Sequence, residues 1–124
     1  MQVFQTKWFS RWAAKEGLQS SALILAVAEM QQGLIDVSLG GHVFKKRVGL
    51  AGRGKSGGVR TLLAFKVNNN AFFIYGFAKN QQDNVSDKEL QMLKLLAAKL
   101  LVFDDAALNQ AINAMELYEV KNET

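Results

Sequence analysis

Between Asp36 and Asp83 the chain carries no carboxylate, yet Lys45, Lys46, Arg47, Arg53, Lys55, Arg60, Lys66 and Lys79 all fall there. Ammonium and guanidinium groups at that density attract anions, and phosphates of a nucleic acid suit them best. In extended backbone successive side chains alternate, so Lys45 and Arg47 share one face of a segment, and Arg60, Leu62, Ala64 and Lys66 share one face of the next. Cations on one side of neighbouring strands make an RNA or DNA platform, or a phosphate site.

Residues 49 to 56 also match G-x-x-x-x-G-K-[ST], within a ten-residue stretch holding five glycines. A nucleotide-binding loop needs a strand before it and a helix after it, so that backbone amides and the helix dipole hold the phosphates. The segment from Val59 to Phe65 follows Gly57-Gly58 and is rich in strand formers, so the required helix is missing. A cationic hairpin loop, with Arg53 and Lys55 reaching RNA, is the better reading.

Other groups able to do chemistry are few. Tyr75 alternates with Phe73 and Phe77, which places it in a packed aromatic face. His42 is the one histidine, able to titrate near neutrality as acid or base, but a lone histidine beside a strand is more often a surface residue. Trp8, Phe9 and Trp12 recur at helical spacing, as core or partner-facing residues rather than base-stacking ones. No cysteine is present, so disulfides, thiol nucleophiles and Cys/His zinc sites are excluded, as are ribonucleases that use two histidines. No metal and no cofactor is called for.

The elements that must position these residues follow from patterning. The 124 residues suffice for a single domain spanning 1–124. Residues 1–80 hold eleven Lys or Arg against three acids and residues 81–124 four against eight, so the two parts differ in sign. The longest apolar run, Ala22 to Ala28, is far short of the ~20 residues of a membrane span, which predicts a cytoplasmic chain with no membrane partner. Met1 to Thr6 reads as a strand, followed by helices through Trp8–Ala13 and Leu18–Gln32, the second capped by Ser20 or Ser21. His42 to Val48, Val59 to Val67 and Ala71 to Phe77 read as strands, with a hairpin turn at Asn68–Asn70. Ser86 and Glu89 have the spacing of a capping box before a leucine-rich helix, and Asp104 can cap a last helix bearing Leu108, Ile112 and Met115. The class is α+β: a small antiparallel sheet, two N-terminal helices packed on it, and C-terminal helices.

Three segments, Val43 to Val48, Gly52 to Thr61 and Phe72 to Asn80, continued by Ser86 to Leu90, resemble the RelE/ParE superfamily of toxins from type II toxin–antitoxin systems, in its RelE/HigB-like branch. The resemblance covers essentially the whole chain and implies a RelE-like fold. It further implies ribosome-dependent, metal-independent cleavage of mRNA, with the ribose 2′-hydroxyl attacking the adjacent phosphate. Lys45 and Arg47 correspond to the family's basic strand pair and Arg60 to its arginine after Gly-x. Lys79 corresponds to a further basic residue, unless a one-residue shift puts Asn80 there. These four are the implied catalytic residues, with Lys46, Arg53, Lys55 and Lys66 as RNA contacts. Where RelE proteins carry a C-terminal tyrosine this chain has Leu90, so no general base is assigned. Because the superfamily also holds gyrase poisons, a non-catalytic, nucleic-acid-binding or gyrase-inhibiting toxin is the alternative. The implied partners are mRNA, the ribosome and a cognate antitoxin of helix-turn-helix type, docking on the Trp8–Phe9–Trp12 stripe or on the basic face.

Overall fold

In the computed structural model, which describes residues 2–50, 54–78 and 85–121 and the side chains of all of these but 54–57, the elements run β1 (Val3–Thr6), α1 (Lys7–Glu16), α2 (Ser20–Gln31), β2 (Val37–Ser38), β3 (Val43–Leu50), β4 (Gly54–Ala64), β5 (Ala71–Ala78), α3 (Asp87–Leu101), α4 (Asp105–Asn113) and β6 (Leu117–Glu119). The near-continuous apolar run of β5 is buried on both faces, which a strand allows only where helices cover both sides of its sheet. That is the arrangement found. Phe9, Leu23, Val27 and Met30 from α1 and α2 pack on Val48, Val59, Leu63 and Phe73. On the opposite face Ala97, Leu100 and Leu108 from α3 and α4 pack on Val43, Leu62, Phe72 and Ile74.

The strands lie in the order β2-β3-β4-β5-β1-β6. All neighbours pair antiparallel except β1 and β5, whose parallel pairing carries Val3 alongside Ala71. The class is therefore α+β, as the patterning predicts, with β1 inside the sheet rather than at its edge. The β4–β5 hairpin turns through Asn68, which takes a positive φ of 62°, a conformation asparagine tolerates better than most residues.

Helix ends follow local chemistry. Thr6 caps α1 by accepting from the Phe9 amide at 3.2 Å. Ser86 and Glu89 form the capping box of α3, and Asp104 caps α4 by accepting from the Ala107 amide at 2.8 Å. The start of α2 differs from expectation: Gln19 holds the cap position and its side chain makes no cap bond, with Ser20 already inside the helix. The last helix also stops early. Met115 adopts a left-handed φ of 60° and is exposed, and the chain then extends into β6 beside β1. Neither β6 nor the two-residue β2 shows a sequence pattern long enough to read.

A bulge corrects one further expectation. Leu63 pairs with Phe73 but Leu62 pairs with Tyr75, leaving Ile74 as the extra residue. The inserted residue reverses the alternation. Phe73 thus joins the α1–α2 side, where it stacks on Phe9 at 5.2 Å, while Tyr75 and Phe77 turn to the α3 side.

Candidate phosphate-binding site

The antiparallel register of β3 and β4 is regular from Val43/Ala64 to Val48/Val59, and it sets Arg47 directly opposite Arg60 and Lys45 opposite Leu62. Lys45, Arg47 and Arg60 therefore lie on one face of the sheet, the face that α3 covers in part. On the far side of Arg60 the β5 partner is Phe77, fully buried. Like charges directly opposite one another on adjacent strands are destabilising, so this pairing costs the fold something that core packing does not require.

The two arginines are held differently. Arg47 has a side chain 52% exposed, its Nε lies 3.8 Å from Asp36 Oδ2, and its backbone amide donates to the same oxygen at 2.6 Å. Arg60 is half-buried, and its Nη1 is buried with no hydrogen-bond partner among the described residues. A buried donor left unmade bears its full desolvation cost, more so on a charged group. A phosphate oxygen brought between the two guanidiniums would offset the repulsion, and would supply the missing acceptor once the Arg60 guanidinium turned to meet it. At this end of β3 an open groove of about 370 Å³ lies between α2 and Arg47–Leu50.

Other expected cations go elsewhere. Lys46 was expected among the RNA contacts, but alternation turns it to the α2 side, where it is buried. Its Nζ pairs with Glu29 Oε1 at 3.1 Å and donates to the Leu34 carbonyl at 3.0 Å. That ammonium is committed to the interior. Lys66 is exposed but lies past the end of β4, six residues and about 20 Å of extended chain from Arg60, so it does not join the cluster. Lys55 falls inside β4 on backbone alone, while Arg53 and Lys79 lie outside the described residues, as does Asn80. Because β4 begins at Gly54, the Gly-Lys-Ser of the nucleotide-loop match is strand backbone, with no helix N-terminus behind it to hold a phosphate.

Of the candidate acid–base groups, His42 is remote from the arginines, whereas Tyr75 lies on their face of the sheet, diagonal to Arg60 across the β4–β5 ladder. His42 is exposed at a φ of 60° in the turn before β3, about 16 Å along the strand from Arg47. Tyr75 stacks on Trp8 at 4.8 Å, and its hydroxyl donates to Glu89 Oε2 at 3.2 Å. The Ser86 hydroxyl and amide, with a smaller contribution from Tyr75, hold the Glu89 carboxyl below the usual glutamate range. Sequence reasoning missed Asp36 and Glu29 as partners, for a physical reason: they lie eleven and seventeen residues before the cations they hold, and only the packing of β3 on its neighbours joins them.

Among the described residues no three His, Asp or Glu side chains gather as a metal site would require, and no helix is long and apolar enough to cross a membrane. The family model described as "RelE toxin of RelE / RelB toxin-antitoxin system" matches residues 1–120. No curated protein matches the chain.

Proposed function

The chain belongs to the RelE family, toxins of toxin–antitoxin systems, and from that premise we propose that it is an endoribonuclease that cleaves mRNA on the ribosome at a site built on Lys45, Arg47 and Arg60. The observation that carries the reading is the buried, unpartnered Nη1 of Arg60 directly across from Arg47. Both features cost stability in the free protein; a bound phosphodiester would relieve the repulsion directly and the unmade bond once the Arg60 guanidinium turned toward it.

In the proposed reaction the ribose 2′-oxygen attacks the adjacent phosphorus and the bond to the 5′-oxygen breaks, leaving a 2′,3′-cyclic phosphate. The 2′-hydroxyl proton leaves as the attack proceeds, and the departing 5′-oxygen gains one. The phosphorane between these states carries more negative charge than the ground-state diester, so cations fixed in advance stabilise it preferentially. Arg60, anchored by its half-buried stem, holds one non-bridging oxygen. Arg47 meets the other, and Lys45, diagonal to Arg60, adds charge at the rim. Arg53, Lys55 and Lys79 are proposed as further contacts to RNA.

The toxin pairs with a cognate antitoxin, as its family implies. The test is induction in bacteria with and without the product of the adjacent gene, followed by mapping of message ends. Growth arrest with ribosome-dependent cuts, relieved by the partner, is expected. Intact messages accompanied by inhibited supercoiling would replace the ribonuclease by a gyrase inhibitor.

A further inference from the structure

A second cationic surface runs along α1, apart from the β3–β4 arginines. Lys7, Arg11 and Lys15 recur every four residues, so their side chains follow one side of the helix at about 6 Å per step. All three are exposed, and none pairs with a carboxylate among the described residues. Trp8 and Trp12 run beside them with nearly parallel rings, 10° apart at 6.3 Å, and Trp8 stacks in turn on Tyr75. These five side chains of α1 line an open depression of about 560 Å³.

Packing accounts for only part of this arrangement. Trp12 covers Gly76 so closely that a Cβ there would run into its ring. Trp8, by contrast, leaves 48% of its surface in water. Lys7 occupies the first turn of a helix that has no acidic residue there, where the helix dipole disfavours a cation. An exposed indole and a misplaced ammonium side by side contribute nothing evident to the core.

We propose that this face of α1 binds single-stranded RNA, with Lys7, Arg11 and Lys15 tracking successive phosphates and Trp8 stacking on a base. A positive track beside flat rings is the arrangement that grips a single strand without reading its sequence. The step along α1 is comparable to that between neighbouring phosphates. The inference does not rest on cleavage at Arg47 and Arg60, because its test uses a chain that lacks both arginines.

Trp8 and Trp12 are the two tryptophans of the chain, so intrinsic fluorescence reads this surface directly. Titrating the full chain carrying Arg47→Ala and Arg60→Ala with an eight-nucleotide oligouridylate should quench the emission. Affinity should fall about twentyfold between 50 and 200 mM salt, as expected when three phosphates of a single strand are neutralised. Arg11→Ala with Lys15→Ala, both exposed and unpaired, should preserve the melting temperature and flatten that salt dependence to little more than twofold. Trp8→Leu, followed by anisotropy of a labelled strand, should lose about tenfold in affinity. Absence of quenching, quenching by inorganic polyphosphate as strong as by RNA, or binding indifferent to Arg11 and Lys15 would each overturn the proposal. So would emission that answers to the antitoxin alone, which would make α1 a protein interface.

Discussion

Replacing Arg60 by methionine should make the protein more stable and less toxic. The native guanidinium buries Nη1 without an acceptor, a cost of about 1–3 kcal/mol. It also faces Arg47 across the β3–β4 ladder, which adds roughly 0.2–1 kcal/mol of repulsion. Methionine keeps an unbranched stem beside Phe77 and removes both penalties, so the net gain should be on the order of 1–3 kcal/mol. In a chain of this length that raises the melting temperature by on the order of 5 °C. Arg47→Met is the control. It removes one side of the repulsion but also the long contact to Asp36, a surface pair worth about 0–1 kcal/mol, and should leave the melting point nearly unchanged.

Activity should move the opposite way. Losing a group that holds the phosphorane lowers cleavage by roughly 10²–10³ per arginine, enough to abolish growth arrest on induction. Thermal melting, growth curves and message-end mapping together read both quantities. A methionine variant that melts below wild type would show that the Arg60 guanidinium is satisfied in the free protein, and the argument from its orphaned donor would fail. An Arg47→Ala, Arg60→Ala double variant that still arrests growth and cuts message like wild type would refute the site itself.

Lys46→Ala should destabilise the fold by about 3 kcal/mol in urea titrations, because it removes one partner of a largely buried ion pair, while RNA affinity keeps its salt dependence. Gly76→Ala should cost about 1–3 kcal/mol, since its methyl group displaces the Trp12 ring, and should shift tryptophan emission. Ser86→Ala should cost about 1 kcal/mol through the lost α3 cap. Because Glu89 has its pKa depressed in the fold, its contribution is present above the unfolded value and lost as pH falls through the folded one; carboxyl NMR should therefore show Glu89 titrating at lower pH than free glutamate, with the shift reduced in Ser86→Ala. Calorimetry with Mg-ATP should show no micromolar, magnesium-dependent binding that Lys55→Ala abolishes, because Lys55 sits in a strand.

What could be read from the sequence was local. The capping box at Ser86, the Asp104 cap, the leucine spacing of α3 and the Asn68 turn each depend on residues a few positions apart, and each is found where expected. What could not be read was set by distant pairing. The parallel β1–β5 contact joins residues nearly seventy positions apart, and β6 is three residues whose strand character comes from lying beside β1. The Ile74 bulge is invisible because Phe72, Phe73, Ile74 and Tyr75 are all good strand formers, so hydropathy gives no sign of which one is extra. For the site, alternation alone brought Lys45 and Arg47 together, and the β3–β4 register then added Arg60. The fate of Lys46 required knowing that α2 brings Glu29 to the other face.

The Lys45-Lys46-Arg47 run shows how one short stretch serves two purposes. Its period of two sends the outer residues to the α3 face and the middle one into the α2 side. Lys46 there joins β3 to Glu29 on α2 and to the Leu34 carbonyl just beyond it, while the Arg47 amide is held by Asp36 from the same connection. The segment 34–36 is thus tied to β3 from both faces of the strand. Such anchoring fixes the backbone that carries Lys45 and Arg47. Rigidity of this kind is also what electrostatic catalysis requires, since cations that must reorganise around a phosphorane stabilise it less than cations already in place. The buried lysine thereby helps fix the backbone that presents Lys45 and Arg47 on the other face of β3.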